Sequence, residues 1–361
     1  MKMKAWVLHG INDLRYETIA DPVISAREVL VSVKAAGICG SDIPRIYQTG
    51  AHTHPLIPGH EFAGVVTGIG AEVDTAWMGA RVGVFPLIPC KECAPCKKKQ
   101  YEMCRNYSYL GSRRDGGFAE CVAVPADNLI RLPDNVTYEE AAMLEPMAVA
   151  VHAMRKVAPL ESERIAICGL GTIGLFLLMF LLESGRKNIL AIGNKEFQRQ
   201  MAVKLGLAEE CYCDSKSQDV DKWLTERTGG SGTDVFFECV GRNETITQAV
   251  RLTGAAGRIM LVGNPATDMK LDKEVYWKIL RNQLTVMGTW NSSFTHDRED
   301  DWHYVLDRLK DNRIAPAELI THRFALTDLY RGFEVMRDKS EEYGKIMGIN
   351  PHTTMNGKNI S

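Results

Sequence analysis

The sequence predicts an α/β chain of two domains, one rich in short strands and the other built on a doubly wound parallel sheet. Three observations predict it. Short strands separated by dense Gly and Pro fill the first part of the chain. From about Arg164 to Gly288, apolar strands alternate with helical patterns. A glycine-rich turn, Gly169-Leu170-Gly171-Thr172-Ile173-Gly174, stands where a strand gives way to a helix. A length of 361 residues suffices for two such domains.

The elements follow in order. Strands are predicted at Lys4–Leu8, Glu28–Ala35, Phe62–Gly68, Arg81–Phe85 and Phe118–Val124. Thr137 and Glu140 have capping-box spacing and open a helix, which Pro146 is expected to interrupt. The parallel-sheet strands are Arg164–Cys168, Ile189–Ile192, Asp234–Cys239, Arg258–Val262 and Leu284–Gly288. A charged helix, a strand near His322–Leu326, another helix and a strand around Lys345–Ile349 complete the chain. This tail is expected to return to the first domain, giving domains at 1–155 with 290–361 and at 156–289. The uncharged run Ile165–Leu182 is long enough to raise a membrane-spanning reading. Its glycines divide it instead into a buried strand, a turn and a helix from about Leu175.

Charged residues make up 24% of the chain, with a formal net charge of −2. That balance argues against a nucleic-acid partner or an anionic membrane surface. The N-terminal MKMKAWVLHG lacks the apolar core of a secretory signal. Four of the ten cysteines crowd between Cys90 and Cys104, which suits metal binding better than disulfides, so the cytosol is the expected location.

Three groups of residues carry chemistry. The glycines of 169–174 permit a tight turn, close approach of a pyrophosphate and close helix packing, and the following helix N-terminus attracts phosphate. Strand 189–192 ends in Gly193-Asn194-Lys195, without the acid that usually binds the ribose of NAD. Lys195 and Arg199 are placed to neutralise a 2′-phosphate, which favours NADP; the alternative is that both are solvated and that Glu196 serves as the acid. Cys90, Cys93, Cys96 and Cys104 have spacing C-x2-C-x2-C-x7-C, which suits a closed structural zinc site. The spacing differs from the usual iron–sulfur patterns, and the nearby Lys97, Lys98, Lys99 and Arg105 leave a nucleic-acid-binding ribbon as the weaker alternative. Cys39, His60, Glu61 and Glu145 supply thiolate, imidazole and carboxylate, a donor set for a catalytic zinc with an open position.

These motifs together resemble the zinc-containing medium-chain dehydrogenases, over essentially the whole chain and in the same order. Within that family the chain is similar to the polyol dehydrogenases, which carry an acid at the position of Glu145. The likeness is closest in residues 39–46, 50–52, 86–90 and 111–120, to a member that acts on a polyol phosphate. The resemblance implies a GroES-like catalytic domain split around a Rossmann domain, and a homodimer or homotetramer. It maps the catalytic metal ligands onto Cys39, His60 and Glu145, with Glu61 coordinating in some states, and maps a proton-relaying hydroxyl onto Ser41. Backbone at Val262, Gly263, Asn264 and Thr289 is implied beside the nicotinamide. Close members carry an acid where this chain has Gly193, so their NAD preference is not carried over.

The implied reaction moves a hydride between an alcohol and NAD(P), with zinc stabilising the oxyanion. A phosphorylated polyol needs cationic groups, for which Arg45, Arg113 and Arg114 are candidates, assisted by His52 and His54. Two alternatives remain: a dehydrogenase of an unphosphorylated polyol or secondary alcohol such as sorbitol, and a zinc- and dinucleotide-binding protein without catalysis.

Overall fold

The computed structural model describes residues 2–265 and 267–350. The chain forms two compact units, one running to Glu145 and resuming at Ser293, the other Pro146–Ser292.

The first unit is organised by the strand Glu28–Gly37, whose sequence EVLVSVKAAG is buried along nearly its whole length. Glu61–Ile69 pairs antiparallel along one side, with Gly37 opposite Glu61. On the other side lie Cys121–Pro125 and, at the end of the strand, Lys345–Ile349, with Met347 opposite Gly37. Further strands Ile320–Ala325, Arg81–Val84 and Leu129–Arg131 extend this sheet. One end of Glu28–Gly37 therefore gathers residues that are far apart in sequence. A core of Val29, Val31, Phe62, Phe118 and Phe333 backs the sheet. A separate hairpin joins Lys2–Gly10 to Asp13–Ala20. The second of these strands is absent from the sequence reading, because its alternating Asp-Leu-Arg-Tyr-Glu-Thr-Ile-Ala carries only a half-buried face.

Thr137 caps the helix Tyr138–Ala142 in a full capping box with Glu140. A second helix, Leu144–Val157, begins two residues later. Pro146 lies in its first turn, where a missing N–H breaks no helical bond. The helical run from Thr137 is thus interrupted at Met143, just ahead of the proline as expected, and a new helix opens with Glu145 and Pro146 in its first turn.

The second unit is a six-stranded parallel sheet. Its order is Tyr212–Asp214, Ile189–Gly193, Ile165–Cys168, Thr233–Glu238, Thr253–Leu261 and Thr285–Gly288. This is the doubly wound order of a Rossmann fold, with the crossover after Ile165–Cys168. Tyr212–Asp214 is too short to be legible as a strand in the sequence. The uncharged run resolves into the strand Ile165–Cys168 and the helix Thr172–Glu183, whose residues from Gly174 to Leu181 are all buried. Among the described residues, no helix is long and apolar enough to cross a membrane.

Candidate active site

The site is built where Glu28–Gly37 ends. Cys39 follows in a turn closed by Asp42: the Cys39 N–H donates to Asp42 Oδ2 at 3.0 Å, and the Asp42 N–H donates to the Cys39 carbonyl at 3.0 Å. Asp42 is fully buried, accepts from Arg45 Nη1 at 2.6 Å and lies 3.7 Å from His60 Nδ1. Burial works to raise the Asp42 carboxyl, but His60 and Arg45 outweigh it and hold it below the usual range. His60 and Glu61 enter from the start of the neighbouring strand, and both are buried. The ligand atoms of Cys39, His60 and Glu61 lie within 4.8 Å of one another.

Each carboxylate here has its own partner. Glu61 Oε2 pairs with Lys345 Nζ, which also donates to the Ile38 carbonyl at 3.0 Å. A Cβ on Gly37 would stand 2.4 Å from Glu61 Oε2 and 2.7 Å from Lys345 Cε, so the pair requires glycine beneath it. Glu145 Oε1 accepts the Tyr109 hydroxyl at 3.1 Å, and the Tyr109 ring meets His60 edge-on at 5.8 Å. Burial raises the Glu145 carboxyl and pushes the Tyr109 phenol well above its ordinary range. Burial works to lower His60, but the Cys39 thiolate and the Asp42 carboxylate outweigh it and raise the imidazole well above its usual value. Ser41 begins the helix Asp42–Tyr47 and makes no capping bond with its hydroxyl.

Zinc fits these residues. The donors are sulfur, nitrogen and oxygen, and the cluster collects negative charge in a buried place. His60 Nδ1 is buried without a hydrogen-bond partner. The converging group contains Glu61, whereas Glu145 is turned onto Tyr109, so both carboxylates implied by the family resemblance lie at the site in different roles.

The four cysteines form the second metal-ligand group. The sulfurs of Cys93 and Cys96 are 3.5 Å apart, those of Cys93 and Cys104 3.9 Å, and those of Cys90 and Cys96 4.0 Å. Zinc at about 2.3 Å from each sulfur separates tetrahedral thiolates by about 3.8 Å, so this group also fits the ion. Backbone hydrogen bonds at Arg105 and Cys96 lower the Cys93 thiol to about 6. Lys99 of this lobe bonds Asp297 at 2.9 Å.

In the second unit the three motif glycines have three separate reasons. Gly169 has φ +95°, and a Cβ there would stand 2.5 Å from Val240 Cγ2. A Cβ on Gly174 would lie 2.0 Å from the Gly169 carbonyl oxygen. Gly171 faces open space, as close approach of a phosphate requires. Ile173 lies with Thr172 in the first turn of the helix that this loop opens. The N–H groups of Val262 and Gly263 donate to the Glu238 carbonyl at 2.8 and 2.9 Å, and a Cβ on Gly241 would meet the Asn264 carbonyl at 2.0 Å. The Thr289 hydroxyl is buried without a partner. The loop, its open glycine and this orphan hydroxyl fit a dinucleotide.

The end of strand Ile189–Gly193 differs from the sequence reading. A Cβ on Gly193 would stand 2.5 Å from the Tyr212 hydroxyl and 2.8 Å from Gln198 Oε1. The Tyr212 hydroxyl donates to the Lys195 carbonyl at 3.1 Å, and the Asn194 N–H donates to Gln198 Oε1 at 2.9 Å. Arg199 binds Glu196 at 2.6 and 2.9 Å and also pairs with Glu209. Its charge is therefore already shared between two carboxylates, and the bond to Arg199 lowers Glu196 to about 2.

The substrate arginines also separate. Arg45 is held by Asp42, and Arg114 is paired with Glu28. Arg113 lies over the ring of Tyr107 at 4.8 Å, and Tyr107 touches Tyr109 edge-on at 6.3 Å. His54 bonds the Leu8 carbonyl at 3.2 Å, and His52 is exposed.

Comparison with known proteins agrees with this geometry. Residues 25–134 match the family described as "Alcohol dehydrogenase GroES-like domain", and residues 172–311 match "Zinc-binding dehydrogenase". The chain is 32% identical to galactitol 1-phosphate 5-dehydrogenase of Escherichia coli K12 over 307 residues, covering 85% of this chain and 88% of that protein. The chain belongs to the zinc-binding medium-chain dehydrogenases. The crystal structure of galactitol-1-phosphate dehydrogenase from Escherichia coli superposes with a TM-score of 0.88 at 30% identity, covering 96% of this chain and all of that one. Two further dehydrogenase structures, each 27% identical, carry different cofactors. One from Sinorhizobium meliloti 1021 is bound to NADP, with a TM-score of 0.87 and coverage of 97% and 99%. One from Escherichia coli CFT073 is complexed with NADH, with a TM-score of 0.88 and coverage of 96% and 99%. Solved structures similar to this chain thus carry either cofactor.

Sequence reading of this dehydrogenase missed Tyr109 and Lys345 and gave Asp42 no role. The available signals were a lysine within the apolar strand KIMGI and an acid three residues after Cys39.

Proposed function

We propose that this dehydrogenase oxidises a polyol or polyol phosphate to the ketose, using NADP in preference to NAD. The observation that carries the reading is the buried convergence of Cys39, His60 and Glu61, with Glu145 beside them. Zinc held there supplies a Lewis acid for the substrate oxygen, and the nicotinamide supplies the hydride acceptor. The chain's own residues do the rest. Asp42, fixed by Arg45, sets a negative charge 3.7 Å from His60 Nδ1. Lys345 neutralises Glu61. Ser41, whose hydroxyl is not used in capping, takes the proton of the substrate hydroxyl. The four-cysteine lobe holds a structural zinc that orders residues 90–104.

The NADP preference is supported at Gly193. Tyr212 and Gln198 fill the space that an acid's side chain would need, and Lys195 stands two residues further along the chain. Arg199 joins the 2′-phosphate only by exchanging a carboxylate partner. A phosphate on the substrate has Arg113 as its candidate. The pairing of Arg45 and Arg114 with carboxylates favours, as a second reading, an unphosphorylated polyol. A homodimer is part of the proposal: the edge strand Thr285–Gly288 exposes Val286, and Tyr276, Trp277, Leu280 and Trp290 are exposed in the same unit. A cytosolic setting is also part of it.

The test follows the reduced-nicotinamide absorbance, crossing NAD and NADP with galactitol-1-phosphate, sorbitol and xylitol. Turnover of the phosphorylated polyol with NADP is expected. Turnover of the plain polyols alone removes phosphate recognition. No turnover by zinc-loaded protein with any polyol contradicts the proposal.

A further inference from the structure

Glu238 is the last residue of the strand Thr233–Glu238 and is fully buried within the parallel sheet. A carboxylate in such a place is costly unless hydrogen bonds meet it. Oε1 accepts the N–H groups of Val240 and Gly241, both at 2.9 Å, and the Thr245 hydroxyl at 2.8 Å. Oε2 accepts the Gly241 N–H at 3.1 Å. Thr245 lies in the first turn of the helix Asn243–Leu252, and its oxygen accepts the Arg242 N–H at 3.3 Å. One side chain thus ties the end of a strand to the loop 239–242 and to the start of a helix, whose dipole favours a negative charge there.

The backbone of the same residue holds a further segment, because the Glu238 carbonyl accepts from both Val262 and Gly263. The loop that the side chain fixes packs against that segment: a Cβ on Gly263 would stand 2.2 Å from the Gly241 nitrogen and 2.5 Å from the Val240 carbonyl carbon. Elsewhere the loop meets the glycine-rich turn. The Cys239 N–H donates to the Cys168 carbonyl at 2.8 Å, and Val240 Cγ2 occupies the space a Cβ on Gly169 would need. Gly241 itself has φ +81°, a conformation that glycine adopts without steric cost. The loop is therefore wedged between the turn 169–174 and the segment 262–264, with no room for a methyl group at Gly169 or Gly263. A shift of the loop is felt by both.

We infer that Glu238 is a positioning residue for the cofactor: its carboxylate fixes the loop 239–242 as a spacer that sets the segment 262–264 relative to the turn 169–174. The inference rests on the reading that the turn takes the pyrophosphate and the segment lies beside the nicotinamide. A whole dinucleotide meets both at once, so it gains its full affinity only when the two are correctly spaced. The same molecule without its nicotinamide needs only the turn, and it is insensitive to that spacing.

The test is calorimetric titration of the full chain with two ligands. One is whichever of NADP and NAD the wild type binds more tightly, and the other is that molecule without its nicotinamide. Glu238→Gln keeps the side chain's size and removes the charge that strengthens its hydrogen bonds. It is expected to weaken binding of the whole dinucleotide by about tenfold, the difference between a hydrogen bond to a charged and to a neutral acceptor. Binding of the nicotinamide-free molecule should be nearly unchanged. Thr245→Val keeps the side chain's shape and removes the hydroxyl between the carboxylate and the helix. It should shift the ratio of the two affinities in the same direction, and it decides the question if Glu238→Gln does not fold. A merely structural role for Glu238 would weaken both ligands alike. Equal losses for the two ligands, or no loss for the whole dinucleotide, would overturn the inference. A wild-type chain that binds neither NADP nor NAD would overturn the dinucleotide reading and the inference together.

Discussion

Replacing Lys345 by methionine keeps most of the side chain's length and removes its charge. Lys345 and Glu61 are each 1% exposed, so water cannot take over for the missing ammonium. Breaking a buried ion pair by removing one partner costs about 3–5 kcal/mol. The Ile38 carbonyl also loses its 3.0 Å donor, worth about 1 kcal/mol more. Relaxation of the site offsets part of this, which leaves about 3 kcal/mol in metal-free protein. At about 2–4 °C per kcal/mol for a body of this size, the apparent Tm falls by about 6–12 °C. The assay is thermal unfolding with and without zinc. Zinc should narrow the gap, because Glu61 then faces a cation. Glu61→Gln added to Lys345→Met should recover stability, because no charge is then left buried. A shift below about 2 °C, or a double variant no more stable than the single, would refute the reasoning.

Other predictions follow from particular contacts. His303 bonds Asp300 at 2.9 Å, and that bond raises the imidazole's pKa. A raised folded pKa stabilises fully below the unfolded value of about 6.5 and is lost as pH rises through the folded value. His303→Gln should therefore lower the melting temperature more at pH 6 than at pH 8.5; an equal loss at both would contradict the linkage. Gly193→Asp forces Tyr212 aside and sets a carboxylate near the 2′-phosphate. Like charges about 5 Å apart at an effective dielectric of about 20 repel by about 3 kcal/mol, so kcat/KM with NADP should fall by about 100-fold and with NAD by much less. Equal losses with both cofactors would remove Gly193 from cofactor choice. Cys96→Ser leaves the lobe three thiolates, so one zinc should be lost and amide exchange in residues 90–104 should quicken. Unchanged zinc content and exchange would deny the lobe its structural role.

What was legible in the sequence was what is local in the sequence. The four cysteines fall within fifteen residues, and the three glycines within six, so their spacing already encodes their geometry. The alternating strands and helices of the second unit were legible for the same reason. Tyr109 and Lys345 were not, because sheet pairings bring them in. Lys345 arrives through the strand that pairs Met347 with Gly37, and Tyr109 through a hairpin closed by the cysteine lobe. Arg199 was legible as a charge but not as a paired one: Glu196 lies within the same helix, while Glu209 comes from beyond its end. Pro146 was legible as an interruption, since the helical run breaks at Met143, but not as a favourable residue in the first turn of the helix that follows.

The most direct test of the zinc-centred reaction is turnover and zinc content measured side by side in wild type and Cys39→Ala. The account predicts that the variant loses one zinc per chain, keeps the zinc of the cysteine lobe, and loses hydride transfer to the nicotinamide. A Cys39→Ala protein that retains both its zinc and its turnover would contradict it.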